Sequence, residues 1–429
     1  MRNDVDAIIV GGGPSGATTA VLLAQAGWRV VIVEKTPFPR RKVCGEFISE
    51  SAWPLLRQLG VASDLIKFAG PVVRRIGFFA GLTSVAADLA ATCSDDEGRA
   101  LGREHLDTLL LHRAADVGAE VLQPCSLAGF VMNGDHYDCL VRSQGGMTRQ
   151  VSSRLIVGAH GSWELGALPT QSVRLPVRAS DLFGFKAHFL ESTLPRDLMP
   201  LIAFPGGYGG MVHTDSGRVS LSCCIRRDAL ERCRQRWPRI KAGAAVQAHI
   251  ESSCKGVAEA LTYAKLDGAW LSAGPLRTGI RSFGHDGIFA VGNSAAEAHP
   301  IIAEGISMGI QSAHLLCEQL IAHQPMGFSK VVQDVVRRGY ETAWRMNFSR
   351  RVHVAALLAH LLMRPLGARA AAIALQCAPQ FLTVGARWSG KLQPFQRARY
   401  LNLTGGNLTG DDAAATSPYP DTLPLEGPL

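Results

Sequence analysis

Val5-Asp-Ala-Ile-Ile-Val10, then Gly11-Gly12-Gly13-Pro14-Ser15-Gly16, then a breaker-free run to Ala26, then Arg29-Val-Val-Ile-Val-Glu34-Lys35, read as strand, tight turn, helix and strand. The first apolar run has the length of a buried parallel strand, and Ala17 to Ala26 is rich in Ala, Leu and Val up to Gly27. The three spaced glycines have separate duties: Gly11 turns the chain, Gly13 lets backbone approach a pyrophosphate, and Gly16 lets helix pack closely on strand. Free amides and the positive helix end then hold phosphate charge without a side chain. Glu34, at the end of the second strand, suits a carboxylate that accepts hydrogen bonds from a ribose. Gly11, Gly13, Pro14, Ser15 and Gly16, with Glu34 and Lys35, are thus the expected residues of a dinucleotide site. A glycine triad alone is a weak signal; here the flanking strand, helix and terminal acid agree.

Working outward, 429 residues exceed what one core usually supports, so two or more lobes are expected. A net charge of +8 leaves anionic cofactors, anionic substrate parts or a membrane surface as partners. The cations are scattered and no basic patch interleaved with aromatics occurs, so a nucleic-acid partner is not expected. Ten cysteines, with no Cys-x-x-Cys and no metal-ligand spacing, read as reduced thiols of a cytosolic protein, and no metal site is expected. The first strand starts within a few residues of Met1, which leaves no room for a signal peptide. No run of 18 apolar residues lacks a charge.

Beyond Lys35 the cluster Arg40-Arg41-Lys42-Val43-Cys44-Gly45-Glu46-Phe47 lies beside the ribose end of the expected site. Its cations would neutralise pyrophosphate, with Arg41 among them, and the small pair Cys44-Gly45 would lay backbone against a cofactor ring; the bland reading is a solvated turn before a helix over 49–59. Residues 71–93 turn short and strand-like. Arg103 then opens a helix through Ala115, where it either reaches cofactor phosphate or caps a neighbouring loop. A strand from Gly118, two hairpin strands around Asn133-Gly134-Asp135, and a buried strand ending in Gly158-Ala159-His160-Gly161-Ser162 follow.

The glycine motif with Glu34, the Arg103 helix, the Gly158–Ser162 strand end and the later Gly287-Ile-Phe-Ala-Val-Gly292-Asn293-Ser294-Ala295 occur in an order that resembles FAD-dependent oxidoreductases of the aromatic-hydroxylase fold, over most of residues 5–320. That superfamily holds class A flavoprotein monooxygenases, flavin-dependent halogenases and geranylgeranyl reductases. The resemblance implies an α/β fold: a Rossmann-like FAD-binding domain (1–70, 100–165 and 271–328), a second, mixed-sheet substrate domain (71–99 and 166–270), a C-terminal helical cap (329–402) and a disordered tail (403–429). It also implies that Gly11, Gly13, Gly16, Glu34, Arg103, Gly292 and Asn293 hold FAD. Asn293 replaces the usual Asp and can still accept and donate hydrogen bonds; NAD(P)H is the expected electron donor, but His160 replaces the Asp of the middle motif, bears on nicotinamide docking and leaves NADH, NADPH or another donor open.

The segments Arg41–Glu46 and Pro300-Ile-Ile-Ala-Glu304-Gly305-Ile306 resemble the geranylgeranyl-reductase and halogenase side; the Trp-x-Trp segment and helper lysine of halogenases are not visible. A helix over 305–323 would aim its N-terminus at the flavin pyrimidine, with Pro300, Gly305 and Ile306 at the ring. His299, Cys44 and Tyr208 are the candidate catalytic residues, and Lys186, His188 and His213 could share the pocket of Tyr208. The expected activity is monooxygenation of an apolar aromatic or polyketide-like molecule, with reduction of polyprenyl double bonds as the alternative and an electron-relay or non-catalytic flavoprotein as a third reading. Arginines among the apolar helices from Ser329 to Tyr400 suggest either a packed helical cap or a basic lid in peripheral contact with a membrane.

Overall fold

The strand Asp4–Val10 lies between two parallel neighbours, Val30–Val33 on one side and Thr148–Gly158 on the other, so that Ala7 stands opposite both Val30 and Leu155. The apolar runs are continuous because both faces are covered. Ala7, Ile9, Val30, Ile32, Leu155 and Val157 enter the large core under the helices, while Ile8, Val10, Val31, Val33 and Ile156 enter a second core on the other face. Ile288–Ala290 and Glu120–Leu122 extend this sheet in parallel at its two sides. A hairpin of Cys125–Asn133 and His136–Ser143 joins it antiparallel. These coordinates are a computed structural model and describe residues 4–89, 97–162, 164–171 and 176–389. The expected tail over 403–429 and the end of the cap from 390 lie outside the described residues, as does Cys93.

The second sheet has seven strands, with Lys265–Leu276, Leu182–Leu190, Val219–Arg226, Gly207–His213, Leu198–Phe204, Arg75–Ala80 and Thr83–Asp88 as successive neighbours. Its residues alternate with period two. Phe185, Ala187, Phe189, Leu221, Cys223 and Ile225 pack against the helices Arg227–Arg236, Ala242–Ser253 and Lys255–Leu261. Gly184, Lys186, His188, Ser222 and Cys224 point the other way, towards the first lobe. The strand Lys265–Leu276 stays paired with Leu182–Leu190 as far as Leu276, so the second sheet runs past residue 270.

Four helices complete the fold among the described residues. Gly305–His323 is buried along nearly its whole length and packs on the Pro14–Gln25 helix. Lys330–Leu362 is a single helix of 33 residues within the expected helical region from Ser329, and Ser329 caps it by accepting the Val332 amide. Pro365–Cys377 then turns off it at 104°, and Gln380–Trp388 follows. No single helix among the described residues is long and apolar enough to cross a membrane; by length and composition only, the bent pair Lys330–Leu362 and Pro365–Cys377 passes that test together.

Candidate functional site

The glycine turn has the shape that its sequence requires. Gly11 sits at φ +110°, and a Cβ there would stand 2.5 Å from the carbonyl oxygen of Ala159. A Cβ on Gly16 would stand 1.9 Å from the Gly11 oxygen, so the helix could not start where it does with any other residue. At Gly13 the nearest atom to such a Cβ is Nη2 of Arg103 at 3.6 Å, which leaves room beside an uncapped helix start. Glu34 is buried; its carboxylate accepts the Gly12 and Thr36 amides at 2.8 Å each and pairs with Arg40 at 3.3 Å.

Cations gather around this turn. Arg103 makes two short bonds to Asp107, at 2.6 and 2.7 Å, and is buried beside Gly13. Lys42 is half-buried near Gly161; burial, with the repulsion of Arg103 and Arg40, lowers its pKa to about 8. An anion would relieve that repulsion, which is the electrostatic signature of a phosphate site. Two expected residues are engaged elsewhere. Lys35 pairs with Glu164 at 2.7 Å. Arg41 pairs with Glu104 at 3.2 Å and with Asp267 at 2.9 Å, crossing to the second sheet.

A second group of expected residues lines one cavity of about 510 Å³ between the sheets and the cap: Cys44, Gly45, Tyr208, Gly292, Asn293, His299, Pro300, Gly305 and Ile306. Ser15 joins the two groups, because a Cβ on Gly292 would meet its Oγ at 2.2 Å and one on Gly309 would meet it at 2.7 Å. The uncapped start of the Gly305–His323 helix opens on the cavity, and a Cβ on Gly305 would meet nothing within 4 Å. Two helix N-termini, a cation-ringed glycine turn and an acid at the far strand form a cradle that fits an extended dinucleotide with a ring at the cavity end.

Polar side chains in the cavity are few and ordered. The Tyr208 hydroxyl lies 3.1 Å from Nδ1 of His299, whose Nε2 lies 3.0 Å from the Thr278 hydroxyl. Burial, with the neighbouring His360, lowers the His299 pKa to about 4, so the ring is neutral at pH 7 and can both accept and donate. Glu297 also lines the cavity; burial raises its pKa against the opposing pull of Arg281, 3.2 Å away. Asn293 donates to the Ser162 hydroxyl at 3.0 Å, and His160 is held by Thr170 at 3.0 Å with its pKa lowered to about 4 by burial.

Behind Gly45 lies a cluster for which the sequence carried no local signal. Glu46, at φ 63°, is fully buried and binds both Lys186 and, at 2.8 Å, His188 from the second sheet; it also accepts the Arg103 amide at 3.2 Å. Burial pushes the Glu46 carboxyl up, but the Lys186 ammonium and His188 together hold it below its usual range. Lys186 and His188 therefore face this carboxylate, whereas His213 turns to the opposite face of the sheet and donates to the Leu194 carbonyl at 2.8 Å.

Comparison with known proteins agrees with this geometry. Residues 4–325 match the FAD binding domain family. Menaquinone reductase of Mycolicibacterium smegmatis is 34% identical over 125 residues, which are 28% of this chain and 29% of that protein. Aklavinone 12-hydroxylase of Streptomyces peucetius is 27% identical over 227 residues, 48% of this chain and 44% of that one. The chain thus aligns with less than half the length of these relatives. A myxobacterial FAD-dependent halogenase of chondrochloren superposes with a TM-score of 0.73 at 20% identity, covering 90% of this chain and 91% of the other, which is a likeness of fold. With the family matched across three quarters of its length and the nucleotide cradle in place, the chain belongs to the FAD binding domain family.

Proposed function

We propose that the protein is an FAD-dependent oxidoreductase that draws electrons from NAD(P)H and hydroxylates an apolar aromatic or polyketide-like molecule. The observation that carries this reading is the cavity itself: mostly apolar walls roofed in part by the cap helices, and one tyrosine–histidine pair at the end where Gly45, Pro300 and Gly305 converge. Bound FAD supplies the electron pair and, with molecular oxygen, the oxidising chemistry.

The chain's own residues do the rest. Gly11, Gly13 and Gly16 admit the pyrophosphate, with Lys42 and Arg103 as countercharge, and Glu34 takes the ribose. Gly45, Gly292, Pro300, Gly305 and Ile306, which line the cavity together, would hold the ring. The first amides of the Gly305–His323 helix stabilise negative charge on it. Tyr208 moves a proton to or from substrate, and His299 relays it to Thr278. Cys44, at the cavity wall, is placed for contact with ring or substrate.

A second reading, reduction of a polyprenyl or similar double bond, is favoured by the menaquinone reductase match and uses the same Tyr208 hydroxyl as proton donor. Anaerobic reduction of the yellow protein with NAD(P)H, followed by oxygen with and without lipidic phenols, tests the proposal. Oxygen uptake accelerated by substrate supports hydroxylation. Oxygen-independent loss of a substrate double bond supports the reductase. Reduction with no substrate-dependent reoxidation leaves only an electron relay, and a colourless protein overturns all three.

A further inference from the structure

Between Thr342 and Ser389 the sequence holds six arginines and not one Asp or Glu. Three successive helices in this stretch each carry an exposed apolar stripe at helical spacing. The first is Met346, Leu357 and Leu361 on Lys330–Leu362; the second is Leu366 and Ile373 on Pro365–Cys377; the third is Phe381, Val384 and Trp388 on Gln380–Trp388. Leu366 is 78% exposed and Leu357 71%, large apolar side chains that no element among the described residues covers. Exposed arginines accompany the stripes: Arg350, four residues after Met346, and Arg369, three after Leu366, lie within them, Arg364 stands in the link between the first two helices, and Arg387 adjoins Trp388 on the third. The Arg350 guanidinium stacks 4.0 Å from the Trp388 ring, which joins the first stripe to the third.

The cavity reaches this same surface. Leu361 and Phe381 are exposed and also line it, with Leu358, Ala374 and Gly385 beside them. A cation-rich helical segment with no acid of its own, and with Asp88 beside its third helix, studded with Leu, Ile, Phe and Trp matches the interface of an anionic bilayer, where apolar side chains enter the acyl boundary and arginines remain at headgroup phosphates. We propose that the cap docks on a bilayer of anionic phospholipid and that the cavity opens into it, so that an apolar molecule passes from lipid to site without crossing water. Docking stands on the cap alone; only the passage of substrate rests on the function proposed above.

Cosedimentation of the flavin-loaded full chain with phosphatidylglycerol–phosphatidylcholine vesicles, against pure phosphatidylcholine, tests it. Binding to the anionic vesicles several-fold above the neutral ones, weakened by salt, is expected. Arg364→Gln with Arg369→Gln should lower it roughly 30-fold, since each arginine at an anionic surface contributes near a factor of five. Leu357→Asp with Leu366→Asp should abolish it, with flavin absorbance and melting temperature unchanged. Equal binding to both vesicles, or none, overturns the proposal. So does binding that appears only after truncation at Ser389, because the last forty residues carry Asp411, Asp412, Asp421 and Glu426 and would then be the occupant of the face. The readout is vesicle binding, not turnover; loss of activity with binding intact would count against the function and leave docking standing.

Discussion

The two sheets solve different problems with the same alternation of side chains. The first buries apolar residues on both faces, and its polar work is done by backbone at the ends of its strands, at Gly11 to Gly16 and at Gly292. The second packs one face wholly with apolar residues, whereas the other sets Phe78, Ala203 and Tyr208 under the cap beside the polar Lys186, His188 and Ser222. The nucleotide end is therefore built of geometry that side chains would spoil. The substrate end is built of side chains that need partners. Damage to the first should cost cofactor, whereas damage to the second should cost stability or turnover with cofactor in place.

The largest effect is expected at the turn. Gly16→Val puts carbon atoms where the Gly11 carbonyl stands, and bound flavin per chain should fall at least ~10-fold, read by absorbance after gel filtration. Next is the buried ion cluster. Lys186→Met leaves the Glu46 carboxylate with His188 alone and should destabilise the fold by about 3–5 kcal/mol in denaturant titration, while Glu46→Gln with Lys186→Met should recover part of that loss. A single variant no worse than the double would break the comparison.

Turnover comes third. Tyr208→Phe or His299→Ala should lower kcat by roughly 100-fold with flavin content unchanged. Stability should also depend on pH in two windows. His299 and His160 have folded pKa values near 4, below the ordinary 6.5, so the unfolded chain binds more protons between those values and stability falls as pH drops from 6.5 to 4. Glu46 is depressed as well, so its contribution is present above the ordinary carboxyl value of 4.5 and is lost as pH falls through the folded one. Thermal melts of wild type and His299→Asn from about pH 2 to 7 separate these, because the variant should lose part of the upper slope only. The smallest effect belongs to Arg41→Ala, a half-exposed cross-lobe pair whose loss should cost less than about 1 kcal/mol.

The first sheet's site was legible in the sequence because its determinants are local. Strand, glycine turn and helix occupy Val5 to Ala26 without interruption, and the helix after Pro300 begins at Gly305 and ends at His323 as its pattern indicates. The second sheet was less so. Leu198–Phe204 contains Pro200, which reads against a strand, yet it pairs in parallel with Arg75–Ala80 and tolerates the missing amide. Glu46 and Lys186 lie 140 residues apart, and nothing near either announces the other. Glu297 entered no expectation, and Lys42 entered only as one cation of its cluster: burial and neighbouring charge set their protonation, and neither has a sequence period. Cys44 was singled out by size and position, and the structure puts it on the cavity wall.

The helix Lys330–Leu362 is about 50 Å long at 1.5 Å per residue. Its early turns bolt onto the nucleotide lobe, where the Tyr340 hydroxyl donates to the Ala290 carbonyl at 3.0 Å and meets Ser312 at 2.7 Å; its last turns supply Leu358, Leu361 and Leu362 to the cavity roof. One rod thus has a fixed foundation and a free working end. Substitutions in the terminal two turns should therefore reshape the cavity roof while the anchorage at Tyr340 stays in place.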